Sequence, residues 1–120
     1  DIYIVSKRED KVRVYRKSLP FSTTQNNILE KVAELNIIAV TAGDISADGK
    51  EILLKSYDKI YYWKRENTTT SISSLLQQSP QEHNYIPELL GESIAWRTDG
   101  SGFYTVSEGS NVDLFFYKRN

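Results

Sequence analysis

Five side chains hold the reactive chemistry that this sequence places at the ends of apolar segments: Thr41, Asp44, Lys55, Glu92 and Glu108. Asp44 and Glu92 are hard oxygen donors of the type that Ca²⁺ collects, about six to eight oxygens at a time. Two carboxylates do not fill that shell, so a calcium site here would need further ligands. The same carboxylates can instead accept hydrogen bonds from backbone N–H groups at strand starts. Lys55 interrupts the apolar run Ile52-Leu53-Leu54. A lysine inside a buried strand needs a partner, because an unpaired ammonium is costly to desolvate. Glu108, at the end of a similar run, is one candidate partner, and a solvated strand end is its alternative. The chain has no cysteine, so disulfides, thiolate nucleophiles and zinc–thiolate sites are excluded. Ser6, Ser56 and Ser107 lie in no nucleophile-elbow sequence. The single histidine, His83, stands in a polar stretch and reads as a solvent-exposed loop residue.

These residues are carried by a unit that recurs. Segments starting at Asp1, Glu51 and Gly102 each run along an apolar strand to a serine. The serines, Ser6, Ser56 and Ser107, are spaced by fifty and fifty-one residues. A polar turn follows each one. A second strand then ends in an aromatic and two basic residues: Tyr15-Arg16-Lys17, Trp63-Lys64-Arg65 and Tyr117-Lys118-Arg119. Ahead of the second and third copies, Asp48-Gly49 and Asp99-Gly100 sit between apolar runs, which is a hairpin signal because glycine takes positive φ cheaply.

The order predicts an all-β chain of antiparallel four-stranded blades, an incomplete β-propeller of about two and a half blades. It is one segment, 1–120, with blade parts at 1–36, 37–90 and 91–120. The first part lacks its first strand and the last stops after its third. Residues 28–35 supply an outer strand whose Glu and Lys residues suit an edge, although Ile28, Leu29, Val32 and Leu35 also fit a helix. Residues 84–90 are the second outer-strand candidate, shortened by Pro87. A polar insert covers 66–83, and within it 70–78 reads as a short surface helix capped by Thr70 or Ser71 and stopped by Pro80. The residues opening each innermost strand face the channel in such a fold, which places Thr41, Asp44 and Glu92 at one rim, with Lys55 and Glu108 as further channel-facing candidates.

The hairpins SADGKEILLKS (46–56) and RTDGSGFYTVS (97–107) resemble the repeats of the periplasmic Tol-system propeller. The longer pattern, in 1–9, 40–63 and 91–109, is similar to bacterial exported propellers and, distantly, to phytase-like and lactonase-like propellers. The resemblance spans nearly the whole chain apart from 66–83. It implies a periplasmic or secreted setting. It leaves two functions open: a non-catalytic module that binds a protein or small ligand, and a metal-assisted hydrolase working in the channel.

A formal charge of −1, with 26% charged residues, gives no electrostatic basis for a nucleic-acid partner. No apolar stretch is long enough to insert into a membrane as a helix. The sequence contains no methionine, even at position 1, which fits processing or trimming ahead of Asp1. Ile4, Ile45, Leu54, Trp96, Tyr104, Val106 and Phe116 are the expected core. Neither end is capped by polar strands: Ile2 to Val5 open the chain and Leu114 to Phe116 close it. The expected partners are therefore the remainder of a propeller or further copies of the chain.

Overall fold

The computed structural model describes residues 1–119. Ten strands and one short helix follow in order: β1 (Ile2–Val5), β2 (Val12–Lys17), β3 (Glu30–Leu35), β4 (Ala42–Ile45), β5 (Glu51–Lys55), β6 (Lys59–Lys64), α1 (Ile72–Leu76), β7 (Gln81–Asn84), β8 (Ser93–Trp96), β9 (Gly102–Val106) and β10 (Leu114–Lys118). The molecule is all-β, in three antiparallel sheets of three, four and three strands: β1-β2-β3, β4-β5-β6-β7 and β8-β9-β10. Within each sheet every strand pairs with the next in the chain, so each sheet is a meander; most connections are tight, but residues 18–29 link β2 to β3 and residues 65–80, which include α1, link β6 to β7. At the Asp-Gly turns, Gly49 and Gly100 take φ of +69° and +71°. Asp48 Oδ1 accepts from the Lys50 N–H at 3.0 Å and Asp99 Oδ1 from the Ser101 N–H at 2.9 Å. Each turn is thus held by the local bond that makes aspartate favourable there.

Two apolar clusters lie on opposite faces of the second sheet. One gathers Val12, Val14, Leu35, Ile37, Val40, Ile52, Leu54 and Trp63, with Tyr3 and Val5 packed against it. The other joins Leu53, Ile60, Tyr85 and Ile94, with Trp96, Phe103 and Tyr117 around it. Period-two alternation explains the division: Ile52 and Leu54 point towards the first sheet, Leu53 towards the third. All five residues of β5 are buried, as the central strand of a stack requires.

Several expectations need correction. Residues 28–35 do form a strand, beginning at Glu30, and Glu30, Lys31 and Glu34 are exposed on it. The fourth strand of the second sheet is Gln81–Asn84, not 84–90. Beyond Asn84 the chain turns inward at Tyr85, whose hydroxyl donates to the carbonyls of Ser56 at 3.0 Å and Tyr57 at 2.7 Å. His83 therefore sits on an exposed edge strand and not in a loop. The helix is shorter than 70–78 and is not a surface ornament. Ser71 caps it, accepting from the Ser74 N–H at 3.1 Å, and Ile72, Leu75 and Leu76 enter the first cluster. Of the expected core, Leu54 is buried, and Trp96, Tyr104 and Val106 are half-buried. Ile4, Ile45 and Phe116 are exposed. Ile4 and Phe116 lie on the outer faces of the first and third sheets, and Ile45 looks into a groove beside β1, so each lacks a neighbouring sheet or strand to cover it.

Candidate functional site

The most polar part of the interior lies where the second sheet meets the third. Lys55, the last residue of β5, is fully buried. Its Nζ stands 3.5 Å from Glu88 Oε2, hydrogen-bonds the Gly91 carbonyl, and lies 4.6 Å from the centre of the Tyr85 ring. The Glu88 side chain is 2% exposed, and its Oε1 accepts from the Thr105 hydroxyl at 2.6 Å. The Thr41 hydroxyl bonds the same Gly91 carbonyl at 3.0 Å. Gly91 is required by space: a Cβ there would stand 2.6 Å from Lys55 Nζ and 2.9 Å from Glu88 Cβ. Lysine, glutamate, two threonines and a tyrosine are thus gathered between two sheets by the ends of β5 and β9, the residue before β4 and the segment between β7 and β8.

The lysine has a partner, but the partner is Glu88 and not Glu108. Glu108 is exposed and contributes its backbone N–H to the Leu90 carbonyl at 3.1 Å. Asp44 behaves as a backbone acceptor. Its Oδ2 takes the Trp96 N–H at 2.7 Å and its Oδ1 the Ile45 N–H at 2.8 Å, tying β4 to β8. Glu92 engages a different set. It binds Lys7 from the turn after β1 and accepts from the Tyr57 hydroxyl at 2.6 Å. That hydrogen bond to Lys7, then the one to Tyr57, holds its carboxyl below the usual glutamate range. Asp44 and Glu92 share no partner, and among the described residues no three His, Cys, Asp or Glu side chains gather in a group suited to a metal ion. Of the recurrent serines, Ser6 Oγ accepts from the Arg13 N–H at 2.8 Å and Ser56 Oγ from the Lys59 N–H at 3.1 Å. Arginines of the three basic pairs also have partners within the protein. Arg16 pairs with Glu30 at 2.7 Å, Arg65 donates to the Gly49 carbonyl, and Arg119 grips the buried Glu51 carboxylate.

Glu88 escaped notice because it sits in an irregular segment beside a proline. The signal was nonetheless present in the spacing. Residues 37–41 align with 88–92, so Ile37 and Val40 correspond to Glu88 and Gly91, while Val5 corresponds to Lys55. Three positions change together from apolar to ionic or small.

A second feature is an aromatic cleft of about 440 Å³ further out between the same two sheets, walled by Tyr62, Trp96, Phe103 and Tyr117, with His83 and Arg119 at its margin. Phe103 stacks on Tyr117 at 5.1 Å, and Trp96 meets Phe103 edge-on at 6.0 Å. The Trp96 indole N–H is buried without an acceptor among the described residues.

Burial, followed by the hydrogen bond to Glu51, pushes the Tyr62 phenol up to about 12. Burial, followed by the Glu88 charge, pushes the Tyr85 phenol up to about 12. In the unfolded chain both would ionise near about 10. Between about pH 10 and 12 the folded state therefore holds more protons, and stability falls as pH rises through that window. Burial lowers the Lys55 ammonium, against the pull of Glu88. Its contribution rises with pH, and only up to about 10.5, where the unfolded lysine titrates. The urea midpoint should thus drop steeply above about pH 10, and Tyr62→Phe should make the drop shallower. Equal slopes in the two proteins would show that Tyr62 is not a cause.

Comparison with protein-family models, curated proteins and solved structures returns no match to this chain.

Proposed function

We propose that this chain is a sector of a β-propeller, about two and a half blades in one segment, and that it serves as a non-catalytic module binding a protein or small ligand. The observation that carries the reading is a contrast between corresponding positions. Leu54 is 4% exposed where its counterpart in the first sheet, Ile4, is 46% exposed; Ile60 is 1% exposed where its counterpart in the third sheet, Leu114, is 64% exposed. In the middle sheet both faces are covered by neighbours. The outer faces of the end sheets carry the same apolar pattern with nothing against them, as stacked blades awaiting further blades would.

Catalysis is disfavoured by how the interior charges are used. Asp44, Lys55, Glu88 and Glu51 each hold sheets or strands together, and the contacts of Asp44 and Glu92 lend no support to metal-assisted hydrolysis. The aromatic cleft is the surface best suited to a small ligand, since rigid rings give apolar contact at low entropic cost while Arg119 and His83 border it with polar groups. An extracytoplasmic location belongs to the same proposal and rests on the resemblance to exported propellers.

Sedimentation at micromolar concentration tests the sector reading. The chain is expected to associate through its end faces, and Phe116→Glu, which charges one of the two, should weaken that association. A wild-type chain that sediments as a sharp monomer at every concentration would mean that the sheets form a self-contained fold, and the propeller reading would fall.

A further inference from the structure

We propose that the free edge of β1 and the groove beside it accept one extended polypeptide strand, hydrogen-bonded antiparallel to Tyr3 and Val5. Antiparallel ladders alternate, so neighbouring residues present their backbone groups to opposite sides. The Ser6 N–H bonds the Arg13 carbonyl at 2.9 Å, which fixes the phase: Ile2 and Ile4 exchange bonds with β2, and Tyr3 and Val5 turn theirs away. β1 ends its sheet, with no strand beyond it among the described residues. The groove on that side, about 420 Å³, is lined by Tyr3 and Val5 together with Gly43, Ile45, Leu54 and Ile72. An unpaired edge over an apolar groove is the geometry used for strand addition.

The other two sheets indicate the occupant. In the second sheet, the Lys55 carbonyl, at the position matching Val5, accepts from the Thr41 N–H at 2.8 Å as the chain enters β4. In the third, β8 occupies the same place beside β9. β8 also lies alongside β4, with Ile94 buried and the Trp96 N–H held by Asp44. A strand paired to β1 would continue that row on the other side of β4, against Gly43 and Ile45. Gly43 leaves no room for a side chain of its own, since a Cβ would stand 2.6 Å from Leu54 Cδ2. The strand that fits has the character of residues 42–45, a small residue followed two positions later by aspartate. A second copy cannot lend its own version, because β4 and β8 are already bonded within their sheets. Pairing of two β1 edges with each other is the self-association result that counts against this proposal, and we take the occupant to be another segment of polypeptide. Its sequence pattern rests on the propeller reading, whereas the acceptor edge does not.

The probe is a decapeptide with the sequence of residues 40–49, titrated into the 1–120 chain carrying Phe116→Glu. Saturable binding should slow amide exchange at Tyr3 and Val5 by tenfold or more. Val5→Pro removes one edge donor without touching the β1–β2 ladder, a position where proline is tolerated, and should abolish binding while the fold persists. Several results would overturn the proposal: no saturable binding, binding that leaves the Tyr3 and Val5 amides unprotected, equal binding by the Val5→Pro protein, or amides already protected by self-association before peptide is added. Peptide capture by a chain whose wild type is strictly monomeric would sink the propeller reading and spare this one. Association without peptide capture would do the reverse.

Discussion

Replacing Lys55 by methionine is expected to lower stability by about 3–5 kcal/mol, a large fraction of what a domain of this size possesses. The loss comes from what is left behind. Glu88 would remain 2% exposed with its charge uncompensated, and the Gly91 carbonyl would lose one donor while keeping the Thr41 hydroxyl. The same reasoning predicts recovery. With Lys55→Met, Glu88→Leu and Thr105→Val combined, no ion and no hydroxyl remains at the junction without a partner, and the volumes are nearly kept. A buried ion pair replaced as a unit by apolar groups is often neutral or stabilising, so the triple variant should return to within about 1 kcal/mol of the parent. Urea midpoints at fixed protein concentration measure both. If the single change costs less than about 1 kcal/mol, or the triple variant is no better than the single, the ion pair is not what holds this junction.

Asp44→Ala should cost about 1–3 kcal/mol, because two backbone N–H groups, those of Trp96 and Ile45, lose their acceptor at once. Asp44→Asn keeps a carbonyl oxygen able to take the Trp96 N–H and should recover about half of that loss. Glu92→Ala should cost little, since its partners Lys7 and Tyr57 are themselves in reach of water. Millimolar calcium is expected to leave the unfolding midpoint of the parent unchanged. A calcium-dependent rise in that midpoint, lost in Asp44→Ala, would make the carboxylate a metal ligand and return the hydrolase reading to contention.

The strand order was legible because it is written in local chemistry. The apolar run Ile52–Leu54, the Asp-Gly turns and the recurrent serines each depend on residues close in sequence. The partner of Lys55 was not legible in that way. Whether a lysine is met by Glu88 or by Glu108 depends on how one sheet lies on the next, and strand periodicity carries no information about that. The exposed Ile4, Ile45 and Phe116 fail for a related reason. Their positions in the pattern are core positions, but burial needs a neighbour as well as a pattern. The helix at Ile72–Leu76 was found from its cap and its proline, yet its contribution to the first cluster was invisible, because three apolar residues on one turn do not say what they face.

The meander order of the sheets also has a kinetic consequence. Every pairing is between strands adjacent in the chain, so no sheet has to wait for a distant segment, although the links 18–29 and 65–80 are longer than tight turns. What remains is docking, and there the two joints differ. The first packs Val5 against the cluster that holds Ile37 and Val40, apolar groups that need only shed water. The second must dehydrate Lys55 and Glu88 together, and either charge buried alone would carry the desolvation cost of an unpaired ion. The third sheet is therefore discouraged from settling against the wrong face while the chain is still assembling, and the order of the sheets is checked at the joint where a mistake would bury an ion.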